Sequence, residues 1–199
     1  MVRAFKHVYE FRVALREIRP PIWRRIRVPE TYTFWDLHVA IQDAMGWLDY
    51  HLHEFRMKNP SVGIRVRIGI PDEDGWDEDD TLPGWEHKIA AYFTIENARA
   101  KYLYDFGDDW VHEVRLEKIL PREDGVRYPV CVGGRRACPP EDCGGIYGYQ
   151  EIINGESEFQ EHYLDYRPEA FEPSAVRFED PDMRWRVAFL GEEYEPGAE

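Results

Sequence analysis

Phe5-Lys6-His7-Val8-Tyr9-Glu10-Phe11-Arg12-Val13-Ala14-Leu15-Arg16 is the stretch from which the fold is read. Phe5, His7, Tyr9, Phe11, Val13 and Leu15 take every second position, and Lys6, Val8, Glu10, Arg12, Ala14 and Arg16 take the others. A period of two places alternate side chains on opposite faces, so this stretch predicts a half-buried β-strand. Pro20-Pro21 ends it. Ile22 to Val28 then predicts a second strand with Ile22, Ile26 and Val28 inward, and the short connection favours antiparallel pairing.

Outward from this pair, the period changes. Phe34, Leu37, Ile41, Ala44 and Leu48 fall at helical spacing. Thr33 is suited to cap the helix, with Asp36 completing a capping box, and Gly46 supplies the stop. Strands are expected at 51–57 and 62–70, the second with Ile64, Val66, Ile68 and Ile70 on one face. Residues 71–86 hold eight acids and no Lys or Arg, which predicts a long acidic loop. A short helix or turn is expected around 88–98. Tyr102 to Phe106, Gly107-Asp108-Asp109 and Trp110 to Ile119 form a predicted hairpin. Residues 121–150, rich in Pro, Gly and Cys, are expected to be irregular, with helices near 147–154, 156–165 and 181–190. The expected fold class is α+β: an antiparallel sheet of about five to six strands, the 34–46 helix packed across one face, and additional C-terminal helices. Residues 1–199 are expected to form a single domain.

Composition narrows the function classes. Of 199 residues, 43% are apolar and 15% aromatic, enough for a globular core. No apolar run is long enough to span a membrane. The segment Met1-Val2-Arg3-Ala4-Phe5-Lys6 has no apolar signal-peptide region, and three Cys do not make a disulfide framework, so a reduced cytoplasmic setting is expected. The net charge is −14, yet residues 1–30 hold eight Lys/Arg against three Glu, a local +5 that leaves −19 for the rest. The overall sign disfavours broad, non-specific DNA binding but allows a local basic patch.

Five motifs in order are distinctive: Ile22-Trp23-Arg24-Arg25; Thr33 through Trp47, ending Ala44-Met45-Gly46-Trp47; His51-Leu52-His53-Glu54-Phe55; Tyr104-Asp105-Phe106-Gly107-Asp108-Asp109-Trp110-Val111-His112; and Cys138-Pro139-Pro140-Glu141-Asp142-Cys143-Gly144-Gly145 with Gly148-Tyr149. Together, over roughly residues 5–190, they resemble the plasmid pRiA4b ORF-three-like family, some members of which carry an insertion-element-passenger, resolvase-like label. The resemblance implies an α+β fold and a prokaryotic, cytoplasmic setting near mobile DNA. The arginine-flanked Ser nucleophile of a serine resolvase and a helix-turn-helix reader are both unrecognisable in this sequence.

Four residue groups carry possible chemistry. Cys131, Cys138 and Cys143 follow a C-x6-C-x4-C spacing; with His112 as fourth ligand, and His51 or His53 behind it, they would offer a zinc site, although buried thiols packing a loop give the same pattern. His51 and His53 stand two apart on a predicted strand, the spacing that places two imidazoles on one ligand, or two hydrogen-bonded core histidines. Asp105, Asp108, Asp109 and His112 gather around one turn, where they would serve acid–base work or a divalent cation, or only the turn itself. Arg25 and Arg27 share one strand face and Arg65 and Arg67 another. If those strands are neighbours, they make a basic strip with Trp23 beside it, suited to nucleic acid, or covered by the acidic 71–86 segment. The Pro139-Pro140 loop either lies over a pocket or carries the chain around a sheet edge. Three functions follow: an accessory or interaction protein linked to plasmids or mobile elements, the leading reading; a metal-binding protein or metal-dependent enzyme; and a nucleic-acid-binding protein. Its partner would be a protein or nucleic acid, and not a membrane.

Overall fold

The structure is a computed structural model that describes residues 4–71 and 81–193. Its strands are β1 (His7–Leu15), β2 (Trp23–Pro29), β3 (His53–Lys58), β4 (Arg65–Gly69), β5 (Thr81–Pro83), β6 (Arg99–Tyr104), β7 (Trp110–Pro121) and β8 (Val130–Arg135). They form one sheet in the order β5-β4-β3-β6-β7-β1-β2-β8. Every pairing is antiparallel except β4–β5. Three α-helices accompany the sheet: α1 (Phe34–Met45), α2 (Gly145–Asn154) and α3 (Pro181–Leu190).

The alternation of β1 is used as its sequence implies. Tyr9, Phe11, Val13 and Leu15 enter the core, while Glu10 and Arg12 face the other side. The 102–119 hairpin is present as β6 and β7. The sheet has eight strands among the described residues rather than five or six, and both additions lie at its edges. β5 is too short to show a period, and β8 contains Gly133-Gly134, which lowers strand propensity and reads as loop. The core of the acidic segment, residues 72–80, lies outside the described residues. The expected helix over 156–165 is a 3₁₀ turn at Gln160–Tyr163, and the short helix or turn expected around 88–98 is a 3₁₀ turn at Ile89–Ala91.

α1 starts and stops where its caps dictate. Thr33 Oγ1 accepts from Asp36 N at 3.1 Å, and Asp36 Oδ2 accepts from Thr33 N at 2.8 Å. Gly46 ends the helix at φ 91°, a left-handed conformation that glycine adopts without Cβ strain. The helical period therefore does not reach Leu48, which is exposed. Phe34 packs edge-on against Phe55 of β3 at 5.2 Å and near Phe93 at 5.9 Å, and all three rings are fully buried. Such aromatic contacts add about 0.5–1.5 kcal/mol each beyond area burial. Arg24 of β2 donates from Nε to Ala44 O at 2.7 Å, and Trp35 Nε1 donates to Pro181 O of α3 at 3.0 Å. No helix among the described residues is long and apolar enough to cross a membrane.

Candidate functional site

The side of the sheet opposite the aromatic core carries a row of arginines. Arg99 of β6 lies directly across from Arg115 of β7, Arg115 from Arg12 of β1, and Arg12 from Arg25 of β2. Neighbouring strands lie about 5 Å apart, so the row places four guanidiniums along roughly 15 Å. Trp23 is flanked by two of them, with Arg12 5.2 Å and Arg25 5.3 Å from its ring centroid. Arg25 pairs with Glu117 at 2.8 Å and Arg99 with Glu113 at 3.3 Å. Neither Arg12 nor Arg115 has a carboxylate within ion-pair distance among the described residues.

The expected strip paired Arg25 and Arg27 with Arg65 and Arg67 as strand neighbours. The sheet order separates them: β3, β6, β7 and β1 stand between β4 and β2. The intervening strands nevertheless present Arg56, Lys58, Lys101 and Lys118 on the same face, so basic charge runs across the sheet. Two buried carboxylates organise its flanks. Glu10, whose side chain is 1% exposed, accepts from Arg27 at 2.8 Å and pairs with Lys118 at 3.0 Å. Burial opposes its ionisation, but the hydrogen bonds from Arg27 and Lys118 outweigh that and hold the carboxyl below its ordinary value. Glu54 is equally buried between Arg56 and Arg67. Arg12, Arg99 and Arg115 are the residues that sequence spacing missed, since only strand register brings them together.

The histidines separate. β3 begins at His53, so His51 sits before the strand and escapes its alternation. His53 is buried and stacks on His38 of α1 with centroids 3.4 Å apart and rings 7° from parallel. Burial, and then the neighbouring His38, push its pKa well down. His38 Nδ1 meets Tyr102 Oη at 2.8 Å and its Nε2 meets Asp49 Oδ1 at 2.8 Å, while Gln42 Nε2 donates to Tyr102 Oη at 2.8 Å. His112 is buried beside Trp47, its Nδ1 on Trp110 O at 3.0 Å, and burial lowers its pKa to about 3. His112 thus points away from the turn aspartates it was grouped with.

His51 instead reaches Asp142 Oδ1 at 2.8 Å and Asp105 Oδ2 at 3.6 Å. Asp105 and His51 were sequence candidates; Asp142, from the Pro-Pro-Glu-Asp loop, was not. Asp108 accepts from Gly144 N at 3.1 Å, and Asp109 sits in the turn at φ 53°. Gly145, at φ 66°, fits beside Asp108 because a Cβ there would lie 2.7 Å from the Asp108 carbonyl oxygen. Cys131, Cys138 and Cys143 are free thiols that do not gather with His112: among the described residues, His51, Asp105 and Asp142 are the one such group whose ligand atoms lie within 4.8 Å of one another. Burial raises all three thiols, Cys143 to about 12, which favours packing over ligation.

The Pro139-Pro140-Glu141 loop lines a cleft of about 1120 Å³ with Arg24, Trp47, Tyr166 and Arg184. Trp47 Nε1 holds the loop through Pro139 O at 3.0 Å. At the cleft's rim Arg184 of α3 meets Asp43 at 3.0 Å, Asp49 at 3.1 Å and Glu179 at 2.7 Å. One guanidinium cannot neutralise three carboxylates. Burial therefore dominates at Asp43 and raises its carboxyl to about 6, while the surrounding acids keep Arg184 charged.

Comparison with known proteins places these features in a family. Residues 7–180 match the family described as plasmid pRiA4b ORF-3-like protein. An uncharacterized protein of Sinorhizobium fredii, y4hQ, is 37% identical over 148 residues, covering 73% of this chain and 71% of that protein. The crystal structure of MM3350, a protein of unknown function from Methanosarcina mazei Go1, superposes with a TM-score of 0.81 at 48% identity, covering 88% of this chain and 99% of that one.

Proposed function

This chain belongs to the plasmid pRiA4b ORF-3-like family, whose relatives named above are uncharacterised, and on that premise we propose that it is an accessory protein that binds single-stranded nucleic acid across the cationic face of its sheet. The observation that carries this reading is the arginine row, with three consecutive like-charge pairs directly opposed across strands. Like charges in that position destabilise a sheet by roughly 0.2–1 kcal/mol per pair. A row that costs stability in the free protein gains a purpose when a phosphate backbone lies along it. Trp23, with Arg12 and Arg25 within 5.3 Å of its ring centroid, adds an aromatic group among the cations for contact with a base.

In this reading residues 1–199 act as one domain in the cytoplasm, beside plasmid or other mobile DNA. α1 lies across the inner face, supported by its contacts to Phe55, Tyr102 and β2, and leaves the outer face to the ligand. Fluorescence anisotropy with labelled single-stranded oligonucleotides tests it. Binding at about 50 mM salt that weakens steeply as salt rises is the expected result. An acidic polypeptide that binds where oligonucleotides do not would replace nucleic acid with a protein partner.

A further inference from the structure

We propose that His51, Asp105 and Asp142 form a site for one divalent first-row transition-metal ion, separate from the arginine row. Three loops supply the donors: the segment between α1 and β3, the β6–β7 turn, and the segment after β8. His51 Nε2 lies 2.8 Å from Asp142 Oδ1 and 3.6 Å from Asp105 Oδ2. With donors about 2.1 Å from a metal, adjacent ligand atoms stand about 3.0 Å apart in an octahedron and about 3.4 Å apart in a tetrahedron. The two His51 separations bracket those values, and all three donor atoms lie within 4.8 Å of one another.

The turn aims the Asp105 carboxylate at the same point. The Asp105 side chain is 10% exposed, and its Oδ2 faces His51 Nε2 at 3.6 Å, an ion-pair distance longer than a hydrogen bond. Its other oxygen is fully engaged, taking Gly107 N at 2.9 Å and Asp108 N at 3.3 Å, which fixes the carboxylate with Oδ2 toward His51. A cation between Asp105 and Asp142 offsets the repulsion of two carboxylates that converge on one imidazole. The surroundings orient the donors. The Tyr104 ring stands edge-on to His51 at 5.8 Å, and its hydroxyl donates to Glu141, the residue beside Asp142. Asp142 is 64% exposed, so the site opens to solvent. One imidazole and two carboxylates suit Mn(II), Fe(II) or Zn(II), and three protein ligands leave coordination positions for water or a substrate oxygen.

Native mass spectrometry and calorimetry with Zn(II) and Mn(II), each as the metal alone, test the site. The expected result is one ion per chain, with affinity lowered at least about ten-fold in Asp105→Asn and in His51→Ala, more than a typical outer-shell change at its low end. Asp142→Asn, on an exposed side chain, keeps the fold and must weaken binding as well. Pulsed electron paramagnetic resonance of the Mn(II) form should show an imidazole nitrogen that His51→Ala removes. Failure of the wild-type chain to bind either ion, or equal binding by folded Asp105→Asn, Asp142→Asn and wild-type protein, overturns the site.

Discussion

Replacing Arg12 and Arg115 together with glutamine removes the two members of the row that have no carboxylate partner among the described residues. It also removes all three like-charge cross-strand pairs, because each contains one of them. For single strands, the logarithm of affinity falls with the logarithm of salt at about −0.7 per phosphate neutralised. Four engaged arginines give a slope of about −2.8, and two give about −1.4. Raising salt fourfold, from about 50 to about 200 mM, should therefore weaken wild-type binding about 50-fold and the double variant about sevenfold. Stability should move the other way. Relief of three like-charge pairs returns roughly 0.2–1 kcal/mol each, offset by about 0.5–1 kcal/mol for the lost Arg12–Trp23 contact. The urea midpoint should stay level or rise. Anisotropy titrations with a labelled oligonucleotide read the slopes, and denaturation followed by tryptophan fluorescence reads the stability. An unchanged salt slope, or a variant that unfolds at clearly lower urea, would refute a binding role for the row and make its arginines structural.

Other parts of the fold give equally direct outcomes. Asp43 binds its proton more tightly in the folded chain than in the unfolded one. Its contribution to stability is thus fully present below about pH 3.8 and lost as pH rises through about 6, a difference on the order of a few kcal/mol. Asp43→Asn should flatten that part of the stability–pH curve measured by thermal unfolding. Glu10 behaves oppositely: its depressed carboxyl contributes stability that is present above about pH 4.5 and fades as pH falls. Glu10→Gln should cost about 1 kcal/mol at neutral pH, since Arg27 keeps its pairing with Glu123 and Lys118 is exposed to solvent, and should also steepen the salt dependence of oligonucleotide binding. Thr33→Ala, which removes the capping box of α1, should cost about 1 kcal/mol in urea denaturation.

What was legible in the sequence is what local chemistry determines. The alternation of β1, the Thr33–Asp36 capping box and the Gly46 stop each needed only a few neighbouring residues, and each is present. Edge strands were harder. β8 reads as loop because Gly133-Gly134 has no propensity to show, and it becomes a strand only because β2 offers it a partner. His112 illustrates a signal that was available: Trp110, His112 and Val114 alternate on one face, and that parity alone turns the imidazole into the core, away from Asp108 and Asp109. Asp142 had no such signal, since its approach to His51 depends on two loops 91 residues apart in sequence.

The arginine row was hidden for a related reason, and the charge of the chain explains why that matters. Its members stand at positions 12, 25, 99 and 115, with no spacing that links them. A net charge of −14 argues against nucleic acid only if charge is spread evenly. It is sorted by secondary structure instead. The eight described strands hold thirteen of the 25 Lys/Arg but only four of the 39 Asp/Glu. Of those thirteen cations, only Arg24 faces the core. A polyanion approaching this protein is repelled by most of its surface and attracted by one face, which orients the encounter before any contact forms. On the proposed reading, the acidity of the remainder directs a phosphate backbone to the arginine row.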